Sequence, residues 1–110
     1  MKLPEADRAI VDRRKLTEYC LNPAHDDGRH KAALFEELVG VTVHDADLLL
    51  AALRNAALTG AASVGRSDKY GQRYTIDFEY TGPAGAATIR SVWIVRTGEE
   101  IPRLVTCYIL

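Results

Sequence analysis

The stretch Gln72-Arg73-Tyr74-Thr75-Ile76-Asp77-Phe78-Glu79-Tyr80 alternates without a break between large apolar and polar side chains. Side chains of a β-strand alternate sides, so Tyr74, Ile76, Phe78 and Tyr80 share one face and Arg73, Thr75, Asp77 and Glu79 the other. That is the signature of a strand with one face packed and one face wet. Thr81 to Gly85 reads as a turn and Thr88 to Arg96 as the next strand. Thr97 to Glu100 is a second turn, followed by a last strand from Arg103 to Leu110, and a strand over Ala62 to Ser67 precedes them. Strands joined by short turns predict an antiparallel meander.

Upstream of Gly60 the period is helical. Ala46, Leu49, Leu50, Leu53, Ala56 and Ala57 recur at i, i+3 and i+4 spacing, with Thr42 and Asp45 placed as a capping box. A second helix is expected over Arg29 to Val39, with Ala32, Leu34 or Phe35, and Leu38 as its apolar face and Gly40 just past its end. The first is expected from Asp12 to Leu21, with Leu16, Tyr19 and Cys20 on one face and Asn22-Pro23 as its stop. Asp7 to Val11 reads as a short extended arm. The expectation is one α+β domain over residues 1–110. About three N-terminal helices (about 1–60) pack on a C-terminal four-stranded antiparallel meander (about 61–110).

Composition bounds the function. The 110 residues are 47% hydrophobic and 26% charged, with a formal net charge of −1. Such a chain closes a core without metal or disulfides and has no overall basic surface for polyanions. Charge is uneven along it. Residues 32–65 hold one basic residue, Arg54, against four acidic ones, while both flanks carry a slight basic excess. Any nucleic-acid contact is therefore expected from a few placed cations. Cys20 and Cys107 sit in apolar surroundings and read as buried thiols. No secretory signal or membrane-length apolar run is present, so a small, complete, cytoplasmic protein is expected.

Two clusters carry chemistry. His25-Asp26-Asp27-Gly28-Arg29-His30-Lys31 places imidazoles, carboxylates and an ammonium at the mouth of the second helix, where free N–H groups favour an anion. Thr106 and Tyr108 lie on one face of the last strand. Arg90 and Arg96 share a face of the strand before it, and Arg73 lies on the polar face of the alternating stretch. In each case a plainer reading exists. His25 suits a turn partner, Asp26, Asp27 and Gly28 a cap, Thr106 and Tyr108 ordinary strand packing, and Trp93 the core. His25, Asp26 and His30 can be drawn around zinc, but their spacing matches no common zinc motif, so no metal or other cofactor is expected.

The pattern His25-x-x-Gly28-x-x-Lys31-Ala32-x-x-Phe35, preceded by Lys15-Leu16-x-x-Tyr19-x-Leu21-Asn22-Pro23, resembles a family of small bacterial domains of unknown function. The end of the chain resembles it too, through Val92-Trp93-Ile94, Gly98-Glu99 and Pro102-Arg103-Leu104-Val105-Thr106-x-Tyr108. Cys107 and Ile109 depart from the alanine and proline common there, and His30 stands where relatives often lack histidine. More distantly, a helical half with a His…Lys motif before a meander ending Thr-x-Tyr is similar to the barnase–EndoU–colicin–RelE toxin ribonucleases. That likeness implies a metal-independent endoribonuclease toxin of a toxin–antitoxin or related conflict system. RNA would be the substrate and a small cognate antitoxin or immunity protein the partner, with no membrane role. In this reading His25 is a general base, Lys31 and the helix N-terminus hold the phosphate, Tyr108 donates a proton and Thr106 orients the phosphate. His30, Arg73, Arg90, Arg96 and Arg103 are candidate substrate contacts. The alternative is a non-catalytic RNA- or protein-binding module, including an antitoxin- or immunity-like partner whose acidic third helix faces a basic surface. The reading depends on the loop before the second helix folding over the last strand.

Overall fold

The computed structural model describes residues 1–110. Three helical segments precede a four-stranded antiparallel sheet, as expected. The strands are β1 (Ala62–Asp68), β2 (Gly71–Gly82), β3 (Gly85–Arg96) and β4 (Arg103–Ile109), ordered β1-β2-β3-β4. The β2–β3 turn is tighter than the sequence suggests. Gly82 pairs with Gly85, leaving only Pro83 and Ala84 in the loop, and β3 starts before Thr88.

The helical segments differ in quality. The helix α2 (Ala46–Thr59) is regular and buries Ala46, Leu49, Leu53, Ala56 and Ala57. The Thr42–Asp45 capping box opens the 3₁₀ turn that leads into it. The second segment is α1 (Arg29–Leu34), which widens into a π-wound turn, Phe35–Val39. Gly40 ends it at φ 71, and Val41 N–H reaches back to the Phe35 carbonyl at 3.0 Å. This is the left-handed cap that glycine makes cheaply. Ala32, Phe35 and Val39 form its buried face, whereas Leu34 and Leu38 are each 40% exposed. The expected inward position of Leu38 is thus wrong, because the buried set follows i, i+3, i+7 from Ala32 and leaves Leu38 on the other side. The first segment is shorter than expected, a single π-wound turn, Leu16–Cys20. Asp12 still caps its approach by accepting from Arg14 N–H at 3.0 Å.

One cluster of 20 buried residues joins the layers, with Trp93, Phe35, Leu16, Leu49, Leu53, Ile76 and Ile89 at its centre. Trp93 keeps its indole N–H satisfied inside it. The N–H donates to Ser91 Oγ at 2.9 Å, and Ser91 donates to the Ile76 carbonyl at 2.8 Å. The arm expected at Asp7–Val11 begins with a 3₁₀ turn, Ala6–Arg8, before it extends. Ile10 then bridges in parallel to β4, donating to the Pro102 carbonyl and accepting from Leu104 N–H, each at 2.9 Å.

A bulge decides what β4 presents. Val92 pairs with Thr106 but Trp93 pairs with Leu104, so Val105 is an extra residue. Leu104, Cys107 and Ile109 are all buried, although a regular strand would send Leu104 and Cys107 to opposite faces. Past the bulge, Thr106 and Tyr108 stand opposite Val92 and Arg90, away from the Ile89–Ser91–Trp93 face that meets the core.

Candidate functional site

The site starts from a turn. Asn22 Oδ1 accepts from Ala24 N–H at 2.9 Å and the Asn22 carbonyl accepts from His25 N–H at 3.3 Å. The imidazole of His25 then does the capping expected of Asp26 and Asp27. Its Nδ1 accepts from Asp27 N–H at 3.0 Å and Gly28 N–H at 2.9 Å. Two of the amides expected to meet an anion are therefore taken. With Nδ1 as acceptor, the neutral ring carries its proton on Nε2. It offers the outside a donor, whereas the base role needs an outward lone pair.

Gly28 is the hinge of this arrangement. A Cβ there would lie 2.3 Å from the Tyr19 carbonyl oxygen and 3.2 Å from Tyr19 Cδ1. Only a residue without a side chain lets the loop lie this close to the first helical turn. The closeness puts His25 edge-on to Tyr19, with ring centroids 4.8 Å apart at 82°.

Lys31, one turn further along, points into the same corner. Its Nζ donates to Tyr19 Oη at 2.7 Å and to Thr106 Oγ1 at 3.2 Å, and lies 5.7 Å from the Tyr108 ring centroid. The loop before α1 and the end of β4 thus meet, bringing Lys31, Thr106 and Tyr108 together, with His25 joined through Tyr19. Periodicity reads Tyr19 as part of an apolar helix face. The signal for its polar contact is its place in Lys15-Leu16-x-x-Tyr19, ahead of the His…Lys motif.

Lys31 is half-buried and has no carboxylate partner, since every ion pair in the molecule uses an arginine. Its two acceptors are neutral hydroxyls, and one of its three N–H donors remains free. A half-buried cation without a carboxylate beside it favours a bound anion at its free N–H, with the buried Cys20 thiol beneath as a group whose acidity its charge already raises.

The other expected contacts divide. Arg90 stands opposite Tyr108 and forks onto Asp77 at 2.8 and 2.9 Å. That pairing holds the Asp77 carboxyl below its usual range and Arg90 above its own, with Tyr108 adding a smaller push on Arg90. Arg73 bonds Asp68 at 3.0 Å and Arg103 bonds Glu99 at 3.2 Å, so both face local carboxylates instead of the Lys31 corner. Arg96 sits opposite Gly71 at the far end of β3, exposed. His30 is exposed and joins none of these contacts. No three His, Cys, Asp or Glu side chains converge as a metal site, so His25, Asp26 and His30 do not form one.

Beneath the corner lie both cysteines, buried and unlinked. Cys20 Sγ is 3.6 Å from Thr106 Oγ1. The neighbouring Cys107 thiol holds the Cys20 thiol below its ordinary value, helped by Thr106 and the Lys31 charge and opposed by burial. Cys107 is pushed well above its usual value by the same neighbour and by burial. Beside the corner a pocket of about 410 Å³ is lined by Asp12, Arg14, Lys15, Glu18, Tyr19 and His25. Arg14 is occupied by Asp12, whose carboxyl it holds at about 2, so Lys15 is the pocket's unpaired cation. No helix is long and apolar enough to cross a membrane.

Residues 2–110 match a family described as a domain of unknown function (DUF6883). No curated protein matches the chain. Among solved structures, the fold is similar to a chain of a contact-dependent growth inhibition toxin–immunity protein complex from Klebsiella pneumoniae 342. The TM-score is 0.70 at 19% identity, over 92% of this chain and 99% of that one.

Proposed function

This chain belongs to the DUF6883 family, and from that premise we propose that it is a metal-independent endoribonuclease of the toxin kind, acting in a bacterial conflict system with a cognate protein partner. The observation that carries the reading is the Lys31 ammonium, half-buried between Tyr19 and Thr106 without a carboxylate, one N–H unspent. The neighbour from a toxin–immunity complex supports a conflict-system setting and a protein partner.

In the proposed reaction the ribose 2′-oxygen bonds to the adjacent phosphorus and the bond from phosphorus to the 5′-oxygen breaks. Lys31 holds the non-bridging oxygens, whose charge grows as the phosphorane forms. The His25 Nε2–H adds a hydrogen bond to the same oxygens, in place of the base role. Tyr108 gives its proton to the leaving 5′-oxygen, the 2′-hydroxyl proton leaves to water, and the phenolate takes a proton back from water before the next turnover. Thr106 fixes the ammonium. A deoxyribose strand has no 2′-nucleophile and is spared.

The test is purified protein with an RNA oligonucleotide in the presence of chelator. Expected products end in a 2′,3′-cyclic phosphate, and Lys31→Ala lowers the rate by about 100-fold or more while the fold persists. RNA binding without turnover favours the non-catalytic module. Binding only to a neighbouring gene product, with no RNA effect, favours an immunity-like protein.

A further inference from the structure

Tyr19 carries more than the site so far assigns to it. Its hydroxyl accepts the Lys31 N–H at 2.7 Å, yet its own O–H has no acceptor in the protein. Its ring takes the ammonium 4.4 Å from its centroid and meets the His25 ring edge-on at 4.8 Å. It also forms the wall shared by the Lys31 corner and the Lys15 pocket. An anion drawn to the free Lys31 N–H would lie within reach of the unspent phenol O–H, because the ammonium nitrogen and the phenol oxygen are hydrogen-bonded neighbours.

We infer that Tyr19 and Lys31 form a two-donor phosphoryl clamp, in which the Tyr19 hydroxyl contacts the phosphate directly and its ring positions His25 beside it. The inference rests on the ribonuclease reading only for its substrate, a phosphodiester of RNA. The clamp itself is a property of any phosphoryl group at this corner. Two neighbouring donors, one of them charged, suit a tetrahedral anion with several equivalent oxygens.

The experiment uses the whole chain and side-chain NMR of Lys31 and His25, titrated first with inorganic phosphate and then with a short RNA and its DNA counterpart. In the wild type, phosphate shifts the Lys31 Nζ and Tyr19 ring signals. Tyr19→Phe keeps the ring and removes one charge-assisted donor, so phosphate affinity should fall about 10-fold or more while the His25 ring-current shift is retained. Tyr19→Leu should also lose that shift. Unchanged phosphate affinity in Tyr19→Phe overturns the clamp, and so does a wild type in which phosphate moves neither signal. Should the Tyr19 variants unfold, Lys31→Met replaces them. Loss of the phosphate effect on the Tyr19 ring supports the clamp, and its persistence overturns it. A protein that shows the clamp with phosphate but never cleaves RNA sinks the ribonuclease reading and leaves the clamp standing.

Discussion

Two helical regions of this protein solve different problems. The helix α2 runs fourteen residues in regular geometry, led in by a capped 3₁₀ turn, with a single buried stripe. The region from Leu16 to Val39 contains two π-wound turns, a tight loop and a glycine pressed against a carbonyl. All the polar side chains that approach Lys31 come from the second region and from the bulged end of β4; none comes from α2. Regular structure here holds the core, and irregular structure aims side chains. Single-turn π-insertions are common where side chains must be re-aimed.

The comparison breaks most visibly at Leu53, fully buried on α2. Leu53→Ala should cost about 2–5 kcal/mol in stability, measured by urea unfolding, with the His25 and Lys31 signals of the folded fraction unmoved. Site signals that shift with Leu53 would end the separation between the two regions.

Gly28→Ala sharpens it from the other side. The added methyl collides with the Tyr19 backbone, so a cost of about 1–3 kcal/mol is expected from overpacking. The Tyr19–His25 ring contact should be lost as well, visible as a changed His25 ring shift. A variant with the native ring shift would mean that the close approach is incidental.

Cys107→Ala should be milder, about 1 kcal/mol, since it removes a single buried sulfur atom. Removing Cys107 deletes the largest cause of the low Cys20 value, so the Cys20 thiol should rise toward its ordinary range. The pH dependence of thiolate ultraviolet absorbance, with Cys20 then the one cysteine left, reads this directly.

The smallest effect is expected on the open sheet face. Asp77 has a folded value below its unfolded one because of Arg90. Its contribution is therefore present above the unfolded carboxylate value near 3.8 and fades as the pH falls through the folded value. Both partners are partly exposed, so the pair is worth on the order of 0.5 kcal/mol. Asp77→Asn should flatten that part of the acid unfolding curve and lower stability at pH 7 by no more than that amount.

What the amino-acid order reveals follows the same division. Where one period holds, reading succeeds. The alternation of Gln72 to Tyr80, the spacing of Ala46 to Ala57, the Thr42 box and the Gly40 cap all appear as expected. Where a residue is inserted, reading slips. Spacing reads Leu38 as inward and it lies outside, and reads Tyr19 as part of an apolar face although its hydroxyl meets Lys31. The facing of Thr106 depends on an extra Val105 that no periodicity announces. His25 could be recognised as a polar loop residue, but the side its lone pair faces depends on two backbone amides. Of the arginines, strand phase put Arg90 and Arg96 on one face. Only pairing register set Arg90 beside Tyr108 and left Arg73 and Arg103 to local carboxylates.

The extra residue in β4 makes its length a coded quantity. Deleting Val105 would join Leu104 to Thr106 in unbroken alternation and leave both on their present faces, whereas inserting a residue between Thr106 and Cys107 would turn the thiol outward and the phenol inward. A gap at the bulge can be absorbed, but an addition beyond it cannot. Insertions among homologues should therefore gather in the Thr97–Ile101 connection and spare the strand beyond Thr106.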